Sequence, residues 1–330
     1  MEPDSRRLAR FVPPAHPVGS EDVLRAIAAR AARLRAGGDR NDGLRLALVV
    51  EGGAMRGVVS GGTLVGLEDL GLGAVFDVAY GASAGALNLA YFVTGQAGHA
   101  ASIYTEHATS AAFVNPMRLH KIIDLDWLFE RVIHERFPLD EAGLRLVPTE
   151  LRVSVTSATT GRNALLSMRD PSVDPHALLK ASAAVLFYYG RSVPLAGDAW
   201  VDGMASNALP VRDALDAGST HVLVVLSARP REGSARPGRH GAHDIAWPER
   251  LMLLRHAPGF RRAYLTRRRR LRRELALASR DPRVHVILPG PDCLVPSRIS
   301  RDRVALEAAC EGARKRAHAL FAPFGLTPRD

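Results

Sequence analysis

Three short stretches carry residue types suited to acyl chemistry. The first is Gly81-Ala82-Ser83-Ala84-Gly85. An apolar run, Ala74 to Tyr80, leads into it and a small-residue apolar run, Ala86 to Phe92, leaves it. That order predicts strand, sharp turn, helix, with a serine held at the turn and the positive end of the helix beneath it. Gly81 and Gly85 suit a turn in which backbone passes close to backbone or φ is positive. The second stretch is Glu51-Gly52-Gly53-Ala54-Met55-Arg56-Gly57, again between an apolar run (Leu44 to Val50) and a predicted helix (Val58 to about Leu70). Such a loop exposes several N–H groups and is suited to an anion. Gly52 and Gly57 have the spacing of a phosphate loop, but Val58-Val59 stand where Lys and Ser/Thr are required, and no G-x-G-x-x-G is present. The remaining use is an oxyanion hole for a tetrahedral intermediate on Ser83, with Arg56 holding the loop or drawing in an anionic head group.

A serine nucleophile needs a base. Twelve histidines are available, but His221 opens a predicted strand, His285 lies within one, and His240 and His243 fall in a Gly/Arg-rich stretch. None has an evident acidic partner. Trp200-Val201-Asp202-Gly203 is more distinctive: a short apolar strand ends in an acid, followed by a glycine that permits close backbone approach. Asp202 is therefore the candidate to accept the Ser83 proton directly. A histidine-dependent esterase is the mechanistic variant.

The elements that must position these groups read as alternating strands and helices. Strand, glycine loop, helix is followed at once by strand, serine turn, helix. Two such units imply neighbouring parallel strands with right-handed crossovers, and both loops then share the carboxyl edge of one sheet. Ser20 caps a helix from about Val23 to Ala36; 98–140 reads as helical; Leu151–Thr156 alternates as a strand with Ala164–Met168 as its hairpin partner. Pro175–Ala184 is a short helix, His221–Leu226 a buried strand, Val284–Leu288 another strand, and Arg301 to about Ala319 a last helix. Residues 1–40 form an N-terminal arm and helix, 41–228 the core, and 229–330 a C-terminal part of the same domain with an Arg-rich helical stretch over 247–280.

The three stretches, in this order, resemble the patatin-like phospholipase family. Its patterns are an acid-led G-G-G-x-R/K-G loop, a G-x-S-x-G turn and a D-G-[GA]; Ala181-Ser182-Ala183-Ala184 also resembles the small-residue helix before the family's aspartate. The resemblance spans roughly Leu44 to Leu226. It implies an α/β fold of three layers with a mostly parallel central sheet flanked by helices. It also implies Ser83 as nucleophile, Asp202 as base, an oxyanion hole at Gly52, Gly53, Ala54, Arg56 and Gly57, and a lipid ester as substrate, with no metal or cofactor. Three departures bear on substrate preference: Ala54 stands for the third glycine, Met204 for the small residue after Asp202-Gly203, and Ala183 to Phe187 lacks the proline common there.

With 47% hydrophobic and 24% charged residues the composition is that of a globular protein. Cys293 and Cys310 have no metal-like spacing and form no disulfide framework, which points to a reducing, cytoplasmic setting. No signal peptide is expected, and the apolar stretch Ala74–Gly95 reads as a buried strand and helix because its middle holds Gly81, Ser83, Gly85 and Asn88. The net charge is +10, and all the excess lies between Arg229 and Arg283, where sixteen arginines face five acids. A helix starting at Trp247-Pro248-Glu249, and beyond Pro258-Gly259 an apolar stripe of Phe260, Tyr264, Leu271 and Leu275, are surrounded by Arg261, Arg262, Arg267, Arg268, Arg269, Arg270, Arg272 and Arg273. Two readings stand: a basic amphipathic helix resting on an anionic membrane, or a helix packed on the domain with a solvated Arg face. No groove-reading motif supports nucleic acid. Beside the lipid acyl hydrolase stand a non-catalytic membrane- or partner-binding module on the same fold, and an acyltransferase.

Overall fold

The computed structural model describes residues 18–118, 121–230, 251 and 253–329. Residues 1–17 of the expected N-terminal arm, the helix start at Trp247-Pro248-Glu249, and His240 and His243 lie outside the described residues. The strands are β1 (Val18–Gly19), β2 (Leu46–Val50), β3 (Val78–Ala82), β4 (Glu150–Ser157), β5 (Asn163–Ser167), β6 (Val193–Leu195), β7 (Asp198–Asp202), β8 (His221–Val225) and β9 (Val284–Ile287). The helices are α1 (Glu21–Arg35), α2 (Gly57–Asp69), α3 (Ala84–Val93), α4 (Ala97–Ser102), α5 (Leu125–Trp127), α6 (Glu141–Leu146), α7 (Pro175–Ala183), α8 (Val211–Asp216), α9 (Pro258–Ala278) and α10 (Arg303–Phe321).

The apolar runs form one sheet in the order β1-β9-β8-β2-β3-β4-β7-β6, with β5 paired to β4. Its middle, β9-β8-β2-β3-β4, is parallel, and β1, β5, β6 and β7 pair antiparallel at the flanks. Alternate residues of each strand serve opposite faces, as the period of two demands. Leu46, Leu48 and Val50 of β2 join Leu223 and Val225 of β8 in a core with α1, α2, α3, α7 and α10. Ala47 and Val49 join Val222 and Val224 in a second core with α8 and α9. The result is the three-layer α/β arrangement expected, with helices on both faces.

The stretch 98–140 is less helical than expected. After α4 the chain makes a π-helical turn over Ile103–His107, then leaves helical structure until Asp124 caps α5 by accepting the Trp127 N–H at 3.0 Å. Pro116 lies between; it lacks an N–H donor and biases Asn115 away from the helical region, and Val114 forms an isolated bridge with Ile123 instead.

One register relation positions the site. β3 pairs with β4 over Glu150–Ser154 and β7 over Val155–Ser157, while β5 pairs over Arg152–Thr156 and overlaps both. A strand has two edges, so β3 and β7 share one edge of β4, end to end. β3 finishes with Ala82 opposite Ser154, and β7, running the other way, finishes with Asp202 opposite Val155. The residue after β3, Ser83, and the last residue of β7, Asp202, are thereby brought together.

Candidate active site

Ser83 sits between β3 and α3 with φ 56° and ψ −134°. A non-glycine residue at positive φ is strained, and such strain persists only where the surroundings enforce it. Here α3 begins at once, with Ala86 and Leu87 donating to the Ser83 carbonyl at 2.9 and 3.2 Å. The Ser83 N–H donates to Ser182 Oγ at 2.9 Å, and Ser182, fully buried at the end of α7, donates to the Ser154 carbonyl at 2.8 Å. The left-handed conformation falls on Ser83 and Ala54 (φ 51°), not on Gly81 or Gly85. The glycines serve close approach: a Cβ on Gly85 would stand 2.5 Å from the Val50 carbonyl oxygen, and one on Gly52 would stand 2.8 Å from Ser83 Cβ.

The loop Gly52–Gly57 therefore lies directly against the serine. Ser227, just past β8, pins it: its hydroxyl lies 2.8 Å from the Gly52 carbonyl and 3.0 Å from Glu51 Oε2, which also accepts the Ser227 N–H at 3.0 Å. Burial raises the Glu51 pKa against these bonds and the nearby charges of Arg56 and Arg298. The Met55 N–H is occupied by the Arg298 carbonyl at 3.2 Å and that of Arg56 by the Gly53 carbonyl. Among the described residues, the Gly53 and Ala54 N–H groups donate to no protein acceptor. Arg56 acts on Glu51 and lines neither cavity at the site.

Asp202 is 2% exposed. Its Oδ1 accepts the Met204 N–H at 2.7 Å, while Oδ2 has no hydrogen-bond partner of ordinary geometry. Burial raises the carboxyl pKa to about 7, opposed by the Met204 N–H, the Ser83 hydroxyl and the Arg298 charge. The hydroxyl of Ser83 is thus an immediate neighbour of this buried carboxyl. The Asp202 backbone is fixed by Thr156 Oγ1, which donates to its carbonyl at 2.9 Å and lies 2.6 Å from Ser206 Oγ, while Asn163 reaches Ser154 Oγ, Ser206 Oγ and the Val155 carbonyl. Gly203 allows Ser154 to pass behind the turn.

Two cavities meet at Ser83. One, of about 590 Å³ with its mouth, is apolar, walled by Leu87, Ile103, Phe113, Leu125 and Leu128. The other, of about 840 Å³ with its mouth, is of mixed character and lined by the glycine loop, Met204, Leu271, Arg267, Arg268 and Arg298. Among the described residues no histidine lines either. His221 bonds Thr220, and buried His285 lies by the Ser20 carbonyl. Among the described residues no cluster of His, Cys, Asp and Glu suits a metal.

A family model for patatin-like phospholipase matches residues 48–215, half of the chain and all three stretches above. The chain belongs to the patatin-like phospholipase family. The family is one of lipid hydrolases, and a lipid is the substrate class it implies. An Escherichia coli (strain K12) relative, the uncharacterized protein YjjU, is 31% identical over 188 residues, 55% of this chain and 51% of the relative. The chain thus spans about half the length of this curated relative. The crystal structure of VipD from Legionella pneumophila aligns with a TM-score of 0.50 at 13% identity, over 85% of this chain and 67% of that one, a likeness of fold.

On α9 the apolar stripe packs inward. Phe260 and Tyr264 are buried, and Leu271 and Leu275 pack on the second core. The Arg267 guanidinium stacks on the Tyr264 ring at 3.5 Å. No helix among the described residues is long and apolar enough to cross a membrane. Ser227 and Arg298 were not evident from the sequence. Ser227 is signalled only as the first polar residue after a buried strand; Arg298 sits in an irregular loop with no pattern to mark it.

Proposed function

We propose that the chain hydrolyses carboxylic esters of lipids through an acyl-enzyme on Ser83, with Asp202 as the base. The carrying observation is the meeting of β3 and β7 on β4, which brings Ser83, at the junction of an apolar and an arginine-lined cavity, together with the buried carboxyl of Asp202. Asp202 takes the hydroxyl proton as Ser83 Oγ bonds to the acyl carbon. The carbonyl electrons move to oxygen, where the Gly53 and Ala54 N–H groups receive the negative charge. Loss of one such donor typically costs about 3–4 kcal/mol of barrier. As the C–O bond to the alcohol breaks, the alcohol carries away the proton from Asp202. Water, deprotonated by Asp202, then attacks the acyl carbon; the bond to Ser83 Oγ breaks, Asp202 returns the proton to Ser83 and the acid leaves. A base with pKa near 7 is matched to work at neutral pH. The apolar cavity takes the acyl chain.

Ser83→Ala should abolish hydrolysis of a p-nitrophenyl ester with an unchanged circular dichroism spectrum, and a fluorophosphonate probe should label the native chain at Ser83. Undiminished hydrolysis by Ser83→Ala overturns the assignment. Absence of both turnover and labelling in the native chain marks a non-catalytic module instead.

A further inference from the structure

We infer that the arginine-lined cavity beside Ser83 is an anion subsite in which Arg268 and Arg298 hold the phosphate of an acylglycerol phosphate, so that such esters are preferred to neutral acylglycerols. The inference rests on Ser83 as the nucleophile, since it assigns the second cavity to the substrate's head group.

Among the described residues, the charged groups lining this cavity are three guanidinium groups and one carboxylate. The carboxylate, Glu51, is engaged by the Ser227 N–H and hydroxyl. Arg267 is held by its own helix, stacked on Tyr264 and donating to the Tyr264 carbonyl at 2.7 Å. Arg268 and Arg298 make no ion pair and no side-chain hydrogen bond with any described residue, and both are exposed. They come from different elements, α9 and the loop after β9, so one anion between them is held from two directions. The Arg298 backbone is tied to the glycine loop through the Met55 N–H, which anchors this residue beside that loop. It lines the same cavity as Ser83, and its charge reaches both Glu51 and Asp202. A guanidinium matches the oxygens of a phosphate in pairs. A choline head group brings its own cation and gains less here. Arg56, the other cation of the glycine loop, does not line the cavity.

The test uses the full chain and two soluble substrates kept below aggregation, hexanoylglycerol phosphate and hexanoylglycerol, so that no membrane surface enters. The phosphate ester should have the higher kcat/KM by at least about tenfold. Arg268→Gln and Arg298→Gln should each reduce that preference by about tenfold to a hundredfold, the worth of a hydrogen bond to a charged group. Arg255→Gln, an exposed cation outside the cavity, should leave the preference in place. No preference in the native chain, or equal loss in Arg255→Gln, overturns the subsite. Calorimetric titration of Ser83→Ala with glycerol 3-phosphate separates the two readings. Binding that Arg298→Gln abolishes supports the subsite even if no ester is hydrolysed. Absence of binding, or inorganic phosphate binding as tightly as glycerol 3-phosphate, overturns the head-group assignment.

Discussion

Ser182 Oγ accepts the Ser83 N–H at 2.9 Å and donates its own hydrogen bond to the Ser154 carbonyl at 2.8 Å, so a fully buried hydroxyl links the strained elbow to the strand that also sets Asp202. Ser182→Ala would leave one buried donor and one buried acceptor without partners, at about 1–3 kcal/mol. It should lower the unfolding free energy by that amount in urea titrations. A hydroxyl that only supports the fold would stop there. If it also holds the elbow, kcat should fall at least about tenfold with KM little changed, because the acyl chain still binds.

The Asp202 carboxyl, raised to about 7 chiefly by burial, predicts two pH dependences. As a base it must be ionised, so kcat/KM should rise tenfold per pH unit below about 7 and level off above. Arg298→Gln should move that midpoint upward, since the Arg298 charge favours the ionised form. For stability the folded pKa lies above the unfolded value. The favourable contribution is complete below about pH 4 and is lost as pH rises to about 7. Asp202→Asn removes this loss. Its stability relative to the native chain should therefore be greater at pH 8 than at pH 5, by up to about 3 kcal/mol. Equal differences at the two pH values would deny a buried, pH-shifted carboxyl.

Much of this arrangement was legible in the chain because it is local. The apolar runs before Glu51 and Gly81 are β2 and β3, and the short run ending in Asp202 is β7. The two loops reach one sheet edge because successive strand–loop–helix units force it. What was not legible depends on contacts between distant segments. That β3 and β7 share one edge of β4 is a matter of register, not of periodicity. Ser227 pins the glycine loop across 175 residues, and Ser182 reaches Ser83 across 99. The amphipathic stripe of α9 is visible in the sequence, but only tertiary packing turns it toward the domain.

Ala54 offers a test of strain near Ser83. Its φ of 51° lies in the left-handed region, where a Cβ costs about 1 kcal/mol or more. Ala54→Gly relieves this while adding freedom to the unfolded chain, which offsets part of the gain. The expected net effect is stabilisation by up to about 1 kcal/mol. Ala54→Val, β-branched at the same φ, should destabilise by about 2 kcal/mol or more and lower kcat by displacing the Ala54 N–H. Thermal melts and initial rates of both variants check the pair, and equal melting temperatures would deny the strain.

The apolar cavity predicts chain-length preference that can be moved in both directions. Each methylene transferred from water into such a wall gains about 0.8 kcal/mol, a factor of about four. Within a series of p-nitrophenyl esters, kcat/KM should climb from acetate upward until the cavity walled by Leu87, Ile103, Phe113 and Leu128 is full. Ala108, 1% exposed, lines the same cavity. Ala108→Phe should fill part of it and reduce the octanoate-to-acetate ratio by about tenfold or more. Because overpacking can also disturb the fold, Ile103→Ala supplies the opposite arm: it enlarges the cavity, costs about 2–4 kcal/mol of stability, and should shift the optimum toward longer chains. A stability defect alone lowers all esters together. Only a cavity that holds the acyl chain makes the two variants move the optimum in opposite directions, and an unchanged optimum in both would place the chain elsewhere.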